Sequence, residues 1–166
     1  VALHNFPPGN WEAGDRGIAC IPGREAEFRE NTRLAIKYAV GLGCRRLHCM
    51  VGIVPKGLPE ELIHQTLVAN LRFAAEAAGK EGIMLLIEAI NTNSFPGFAV
   101  SHSRDAFRLI DEVDNDNLRF LYDTFHLQVM EGNLTNTMRE NLGRIGHIQI
   151  ADNPGRGAPG TGQLPL

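Results

Sequence analysis

The sequence predicts a parallel α/β fold, and three features point to it. Apolar runs of strand length alternate with amphipathic segments of helical length along the 166 residues. Successive apolar runs lie about 30–45 residues apart, the span of a strand–helix unit and too long for a short-repeat solenoid. Ile83 to Glu88 is apolar without alternation and is closed by one acid, as in a parallel strand covered on both faces. At this level a closed barrel and a doubly wound open sheet both fit.

Val1 to His4 is the first candidate strand, and Phe6 to Pro22, rich in Gly and Pro, is a long loop. From Arg24 to Val40, Phe28, Ala35, Ile36 and Ala39 fall largely on one helical face, and Gly41 and Gly43 stop the helix. Leu47 to Val51 is the second strand, followed by a loop from Gly52 to Pro59. Pro59 suits the first turn of a helix carried by Leu62, Leu67, Leu71, Ala74 and Ala78. After the strand ending at Glu88, Asn91 to Phe98 is again a loop. Ala106, Leu109, Ile110 and Val113 mark the third helix, with Ser101 or Ser103 as its N-cap. Leu118 to Asp123 is the fourth strand, also ended by an acid. Leu134 to Leu142 is a short helix capped by Asn133. Gly146 to Ala151 is the fifth strand, and Asp152 to Leu166 is a Gly/Pro-rich tail.

Hydrophobic content of 43% and charged content of 21% are those of an ordinary globular protein, and residues 1–166 form one domain. The net charge of −3 argues against a nucleic-acid partner. No apolar stretch approaches the ~20 residues that cross a bilayer, and no signal peptide opens the chain. The chain starts at Val1 inside an apolar stretch, which predicts a cut from a longer sequence. Cys20, Cys44 and Cys49 are odd in number and contain no C-x-x-C pair. Reduced thiols and a cytoplasmic setting are therefore expected.

The chemistry lies where polar residues interrupt the apolar frame. Glu88 and Asp123 each end a strand, and His4 ends the first. In Gly146-His147-Ile148-Gln149-Ile150 the polar residues alternate, so His147 and Gln149 share a face. In parallel α/β folds the carboxyl ends of the strands carry the site, so these groups can converge from different strands. Converging carboxylates repel unless a cation sits between them. Glu88, Asp123 and the neutral oxygen of Gln149 make an oxygen-rich set suited to a divalent metal, Mg²⁺ or Mn²⁺. Taken singly, each acid reads better as a cap for the turn that follows. Taken together, they read as a site.

His126, three residues past Asp123, is either a substrate-binding imidazole or a histidine in the first turn of a helix. Arg156, alone in Asn153-Pro154-Gly155-Arg156-Gly157, suits a carboxylate or phosphate, although loop arginines are more often solvated. There is no P-loop, no G-x-G-x-x-G after a strand and no G-x-S-x-G elbow.

Several blocks together resemble one family. They are His4 to Trp11, Arg16 to Arg24, Leu85 to Asn91, Met130 to Thr135 and Gly146 to Pro154. In order and over nearly the whole chain, they are similar to the hydroxypyruvate isomerase family. The 2-oxo-tetronate isomerases share most of them. The resemblance implies a xylose-isomerase-like (β/α)₈ TIM barrel, here incomplete, with about strands 3 to 7 and their helices. It implies that Glu88 is a catalytic, metal-binding acid, that Asp123 and Gln149 are metal ligands, and that His4, His126 and Arg156 bind substrate.

The implied reaction interconverts hydroxypyruvate and tartronate semialdehyde on a small hydroxy-carbonyl acid, through an enediolate stabilised by metal. In the family a second catalytic Glu belongs to the eighth strand and has no counterpart here. Ala89 stands where Pro is usual, and the tail from Gln163 departs from the family, where an acid is usual. A 2-oxo-tetronate isomerase, a ketose 3-epimerase and a truncated non-catalytic fragment are the alternatives. The endonuclease-like branch of the superfamily fits least, since its His-rich zinc pattern is not visible. A partial barrel would also expose sheet edges that invite self-association into a homo-oligomer.

Overall fold

Every strand predicted from an apolar run joins one parallel sheet. The strands are β1 (His4–Asn5), β2 (Arg46–His48), β3 (Met84–Glu88), β4 (Leu118–Asp123) and β5 (Ile145–Gln149), in the order β1-β2-β3-β4-β5. The computed structural model describes residues 2–6 and 9–164; Val1, Pro7, Pro8, Pro165 and Leu166, which belong to the expected first strand, loop and tail, lie outside the described residues. A doubly wound sheet reverses its strand order at a switch point. This order never reverses. The sheet also curves, because Arg46 Nε on β2 donates to the Gly146 carbonyl on β5 at 3.2 Å. Three strand spacings span about 14 Å in a flat sheet, beyond an Arg side chain. The described strands are thus a segment of barrel wall.

Helices α1 (Glu25–Gly41), α2 (Glu60–Gly79) and α3 (Ser103–Val113) cover the outer face of that wall. Period-two alternation divides each strand between two faces. Leu47, Leu85, Ile87, Phe120 and Tyr122 face outward into the core, against Phe28, Ala35, Leu71, Ala74, Ala106 and Leu109. His48, Leu86, Glu88, Leu121 and Asp123 have the opposite parity and face the barrel interior. In α2 the buried stripe runs through Ile63, Leu67, Leu71, Ala74 and Ala78, while Leu62 is exposed. No helix among the described residues is long and apolar enough to cross a membrane.

The boundaries differ from expectation in informative places. β2 stops at His48 rather than Val51, because Val51 leaves the sheet and bridges antiparallel to Gly17. His102 holds the N-cap position of α3, and neither expected serine caps it; the Ser103 N–H instead donates to Glu131 at 3.1 Å. After β4 comes α4 (Thr124–Met130), the helix implied by one of the two readings of His126, with Asp123 as its cap. Asn133 does precede α5 (Leu134–Asn141), but its side chain makes no cap hydrogen bond.

The expected tail is a folded loop wrapped around one carboxylate. Asp152 accepts backbone N–H bonds from Asn153, Gly160, Gly162 and Leu164, all at 2.8–2.9 Å. These bonds favour the ionised form and hold its pKa down to about 2. At the other extreme, Ile148 and Ile150 on and beyond β5 are exposed, Ile150 by 57%. β1 and β5 each have one neighbour among the described residues, so each leaves an edge open.

Close packing inside the curve explains the glycine that opens Gly146-His147-Ile148. A Cβ on Gly146 would lie 2.5 Å from Met84 Sδ, 2.6 Å from Leu86 Cδ2 and 2.8 Å from Arg119 Cβ. Gly146→Ala should therefore lower stability by about 1–3 kcal/mol, the usual cost of overpacking. Gly41→Ala, which meets open space, should cost nothing measurable. Denaturant midpoints of the two variants check both outcomes.

Candidate active site

Glu88 closes β3 and Asp123 closes β4, on adjacent strands and at the same end of the sheet. Both are buried, with 5% and 1% exposure. Burial first, and then the neighbouring Asp123 charge, push the Glu88 carboxyl up to about 8; Arg156 opposes this. Glu88 Oε1 is buried without a hydrogen-bond partner among the described residues. One atom from each of Glu88, Asp123 and His126 lies within 4.8 Å of the other two.

Asp123 divides its two oxygens between structure and site. Oδ1 accepts from the N–H groups of Phe125 at 2.8 Å and His126 at 3.3 Å, which starts α4. Oδ2 accepts from Arg156 Nη2 at 2.6 Å. Arg156 itself is half exposed and sits at the rim, 5.4 Å from the Phe125 ring centroid.

His126 lies in the first turn of α4, as one of its two readings had it, and its ring also faces the carboxylates. Its Nδ1 accepts from the Asn91 backbone N–H at 3.3 Å. A backbone N–H can only donate, so the neutral ring carries its hydrogen on Nε2. That Nε2–H lies 3.7 Å from Glu88 Oε1 and 4.0 Å from Asp123 Oδ2. Burial, the largest influence, lowers the His126 pKa and favours the neutral ring. His126 is therefore a hydrogen-bond donor into the site rather than a free lone pair.

Gln149 pairs in register with Asp123 and lines the same cavity. Two converging carboxylates, one with an unpartnered buried oxygen, and a neighbouring amide fit a divalent cation in charge and in donor type. The cavity measures about 370 Å³. Trp11 and Phe95 supply an apolar wall, with ring centroids 6.3 Å apart, and Arg16 lies 3.6 Å over the Trp11 ring.

His4 is a correction. It pairs with Leu47, on the outward parity of the sheet, and its ring lies 6.3 Å from Tyr38 of α1. It is absent from the cavity lining, where Asn5, one residue on, takes the place expected of it.

His48 was missed for a related reason. Expecting the strand to run to Val51 hid His48 inside it, whereas it is the true strand end. Its Nε2 is 3.5 Å from Glu88 Oε2, and burial, then His126, push its pKa down to about 4. The rule that strand ends carry the site would have found it, given the right boundary.

A family model described as xylose isomerase-like TIM barrel matches residues 1–166. The chain belongs to the xylose isomerase-like TIM barrel family. Within its range of relatives, the chain is 56% identical over 162 residues to hydroxypyruvate isomerase of Escherichia coli K12, covering 98% of this chain and 63% of that protein. It is 40% identical over 163 residues to 2-oxo-tetronate isomerase of Cupriavidus necator, with the same two coverages. A solved structure from Brucella melitensis, titled AP endonuclease, family 2, superposes with a TM-score of 0.94 at 41% identity, covering 98% of this chain and 63% of that one. The chain thus spans 63% of the length of these relatives. The family's barrel agrees with the curved, sequentially ordered sheet and meets the expectation drawn from the sequence blocks.

A proton on Glu88 below about pH 8 must leave before a cation can take its place. Mn²⁺ affinity should accordingly rise by up to about tenfold per pH unit from about pH 6 to pH 8, then level off. Glu88→Gln should weaken binding and flatten the slope. Calorimetric titration across that range checks this, and a flat profile for the unsubstituted protein would contradict it.

Proposed function

We propose that the protein containing this chain is an isomerase of small hydroxy-carbonyl acids that interconverts hydroxypyruvate and tartronate semialdehyde. The observation that carries this is the buried Glu88 carboxyl, facing His126 Nε2–H at 3.7 Å within a cavity of about 370 Å³. The similarity to a relative named hydroxypyruvate isomerase supports it.

The reaction moves one hydrogen between adjacent carbons. A base takes a proton from C3 of hydroxypyruvate, beside the C2 carbonyl, and leaves an enediolate. Return of a proton to C2, with transfer of the hydroxyl proton from the C3 oxygen to the C2 oxygen, gives the aldehyde and its neighbouring hydroxyl. Glu88 is the acid/base group on this chain. Without the cation, burial and the Asp123 charge bring its pKa up to about 8, which makes it a ready proton acceptor. His126 donates its Nε2–H to an enediolate oxygen. Arg156, at the rim, pairs with the substrate carboxylate. Glu88, Asp123 and Gln149 would hold Mg²⁺ or Mn²⁺, which supplies positive charge to the enediolate oxygens when bound.

The 2-oxo-tetronate substrate is the second reading, favoured by the relative of that name. The net charge of −3 and the carboxylates of the cavity weigh against a DNA backbone. Self-association through the open β5 edge, beside the exposed Ile148 and Ile150, belongs to the same proposal, as does a cytoplasmic setting for three buried free thiols.

Incubation of the protein with hydroxypyruvate and Mn²⁺, followed by proton NMR, should show tartronate semialdehyde. Glu88→Gln should lower kcat by about 10²–10⁴-fold, the usual share of general acid–base catalysis. Turnover of 2-oxo-tetronate alone would favour the second reading. Incision of abasic DNA without turnover of either acid would overturn the proposal.

A further inference from the structure

His48 has a ring nitrogen that nothing among the described residues uses. It ends β2, is 4% exposed and lines the cavity. Its Nδ1 lies 3.1 Å from Asn5 Oδ1, the group opposite it in the β1–β2 pairing. An amide oxygen can only accept, so Nδ1 carries the hydrogen and Nε2 presents a lone pair. That Nε2 is buried and has no hydrogen-bond partner among the described residues; Glu88 Oε2 stands off at 3.5 Å. Buried polar atoms are nearly always paired, and an exception aimed into a cavity calls for a ligand atom.

The polarity of the missing partner follows from its neighbours. His126 Nε2–H and the Arg156 guanidinium donate into the cavity, and they suit the carbonyl and carboxylate oxygens of a 2-oxo acid. Such oxygens cannot donate back. A neutral imidazole acceptor instead selects the one group of a small hydroxy acid that carries a hydrogen on oxygen, its hydroxyl.

We propose that His48 is a specificity-determining residue, whose Nε2 accepts a hydrogen bond from the hydroxyl next to the carbonyl of the bound acid. This rests on the reading that the cavity takes a hydroxy-2-oxo acid. Asn5 is the positioning residue that fixes the ring tautomer. A site built to bond a hydroxyl discriminates strongly against the analogue that lacks it, because its own polar group is then left unpaired.

Hydroxypyruvate and pyruvate differ by that hydroxyl alone, and Trp11, the one tryptophan of the sequence, lines the same cavity. Quenching of its fluorescence can be titrated with each acid in the presence of Mg²⁺. The unsubstituted protein should bind hydroxypyruvate at least about tenfold more tightly than pyruvate. His48→Ala should bring the ratio to about one by weakening hydroxypyruvate alone. His48→Gln, which keeps an acceptor on a side chain of similar reach, should restore part of the preference and serves if the alanine variant fails to fold.

Equal weakening of both acids in the His48 variants would mean that His48 only supports Glu88, and would overturn the proposal. So would a preference that survives both substitutions. Equal binding of the two acids by the unsubstituted protein would overturn the His48 assignment and leave the isomerase reading standing. Binding of neither acid would overturn both.

Discussion

Two carboxylates on neighbouring strands, buried at the same end of one sheet, repel each other, and much of the surrounding structure answers that repulsion. Glu88 and Asp123 stand there because β3 and β4 run parallel, in register, with the same inward parity. Burial and mutual charge raise the Glu88 pKa, while Asp123 is compensated by the N–H groups opening α4 and by Arg156. Both His126 and His48 present neutral rings to the same space. The cluster therefore brings into one place the groups proposed as acid/base and as cation ligands, beside a cavity of about 370 Å³.

The scaffold reaches this arrangement with economical means. The outward face of the sheet buries Leu47, Leu85, Ile87, Phe120 and Tyr122 against α1 to α3, which fixes the strands. The inward face is then free to carry polar groups at the strand ends. Asp123 both caps a helix and stands beside Glu88, so the start of α4 and the position of His126 follow from one side chain. Asp152 gathers four backbone N–H groups and shapes the loop that delivers Arg156 to Asp123. Tyr122 ties α5 back to the wall through its bond to the Leu134 carbonyl, at 2.8 Å.

Glu88 and Asp123 were legible because an acid after an unbroken apolar run marks the end of a covered strand. Gln149 was legible from period two. Parity relative to the cavity was not, since it depends on pairing with a neighbour. His4 therefore read as a mouth residue, although its partner Leu47 places it outward beside Tyr38. His48 was hidden by the apolar continuation Cys49-Met50-Val51, which looks like strand but turns away to meet Gly17. The start of α4 was legible only as one alternative for His126, because its cap, Asp123, is also the end of a strand. The Gly/Pro composition after Asp152 concealed a loop whose order comes from one carboxylate rather than from any periodicity.

The central claim is that Glu88 and Asp123 converge to share a cation. Anomalous diffraction from crystals of the protein grown with Mn²⁺ tests it most directly. A single manganese peak is expected between the two carboxylates, with Gln149 as the neutral oxygen ligand and His126 Nε2 outside direct ligation. A peak at other residues, no peak at saturating Mn²⁺, or carboxylates turned away from each other would contradict the account.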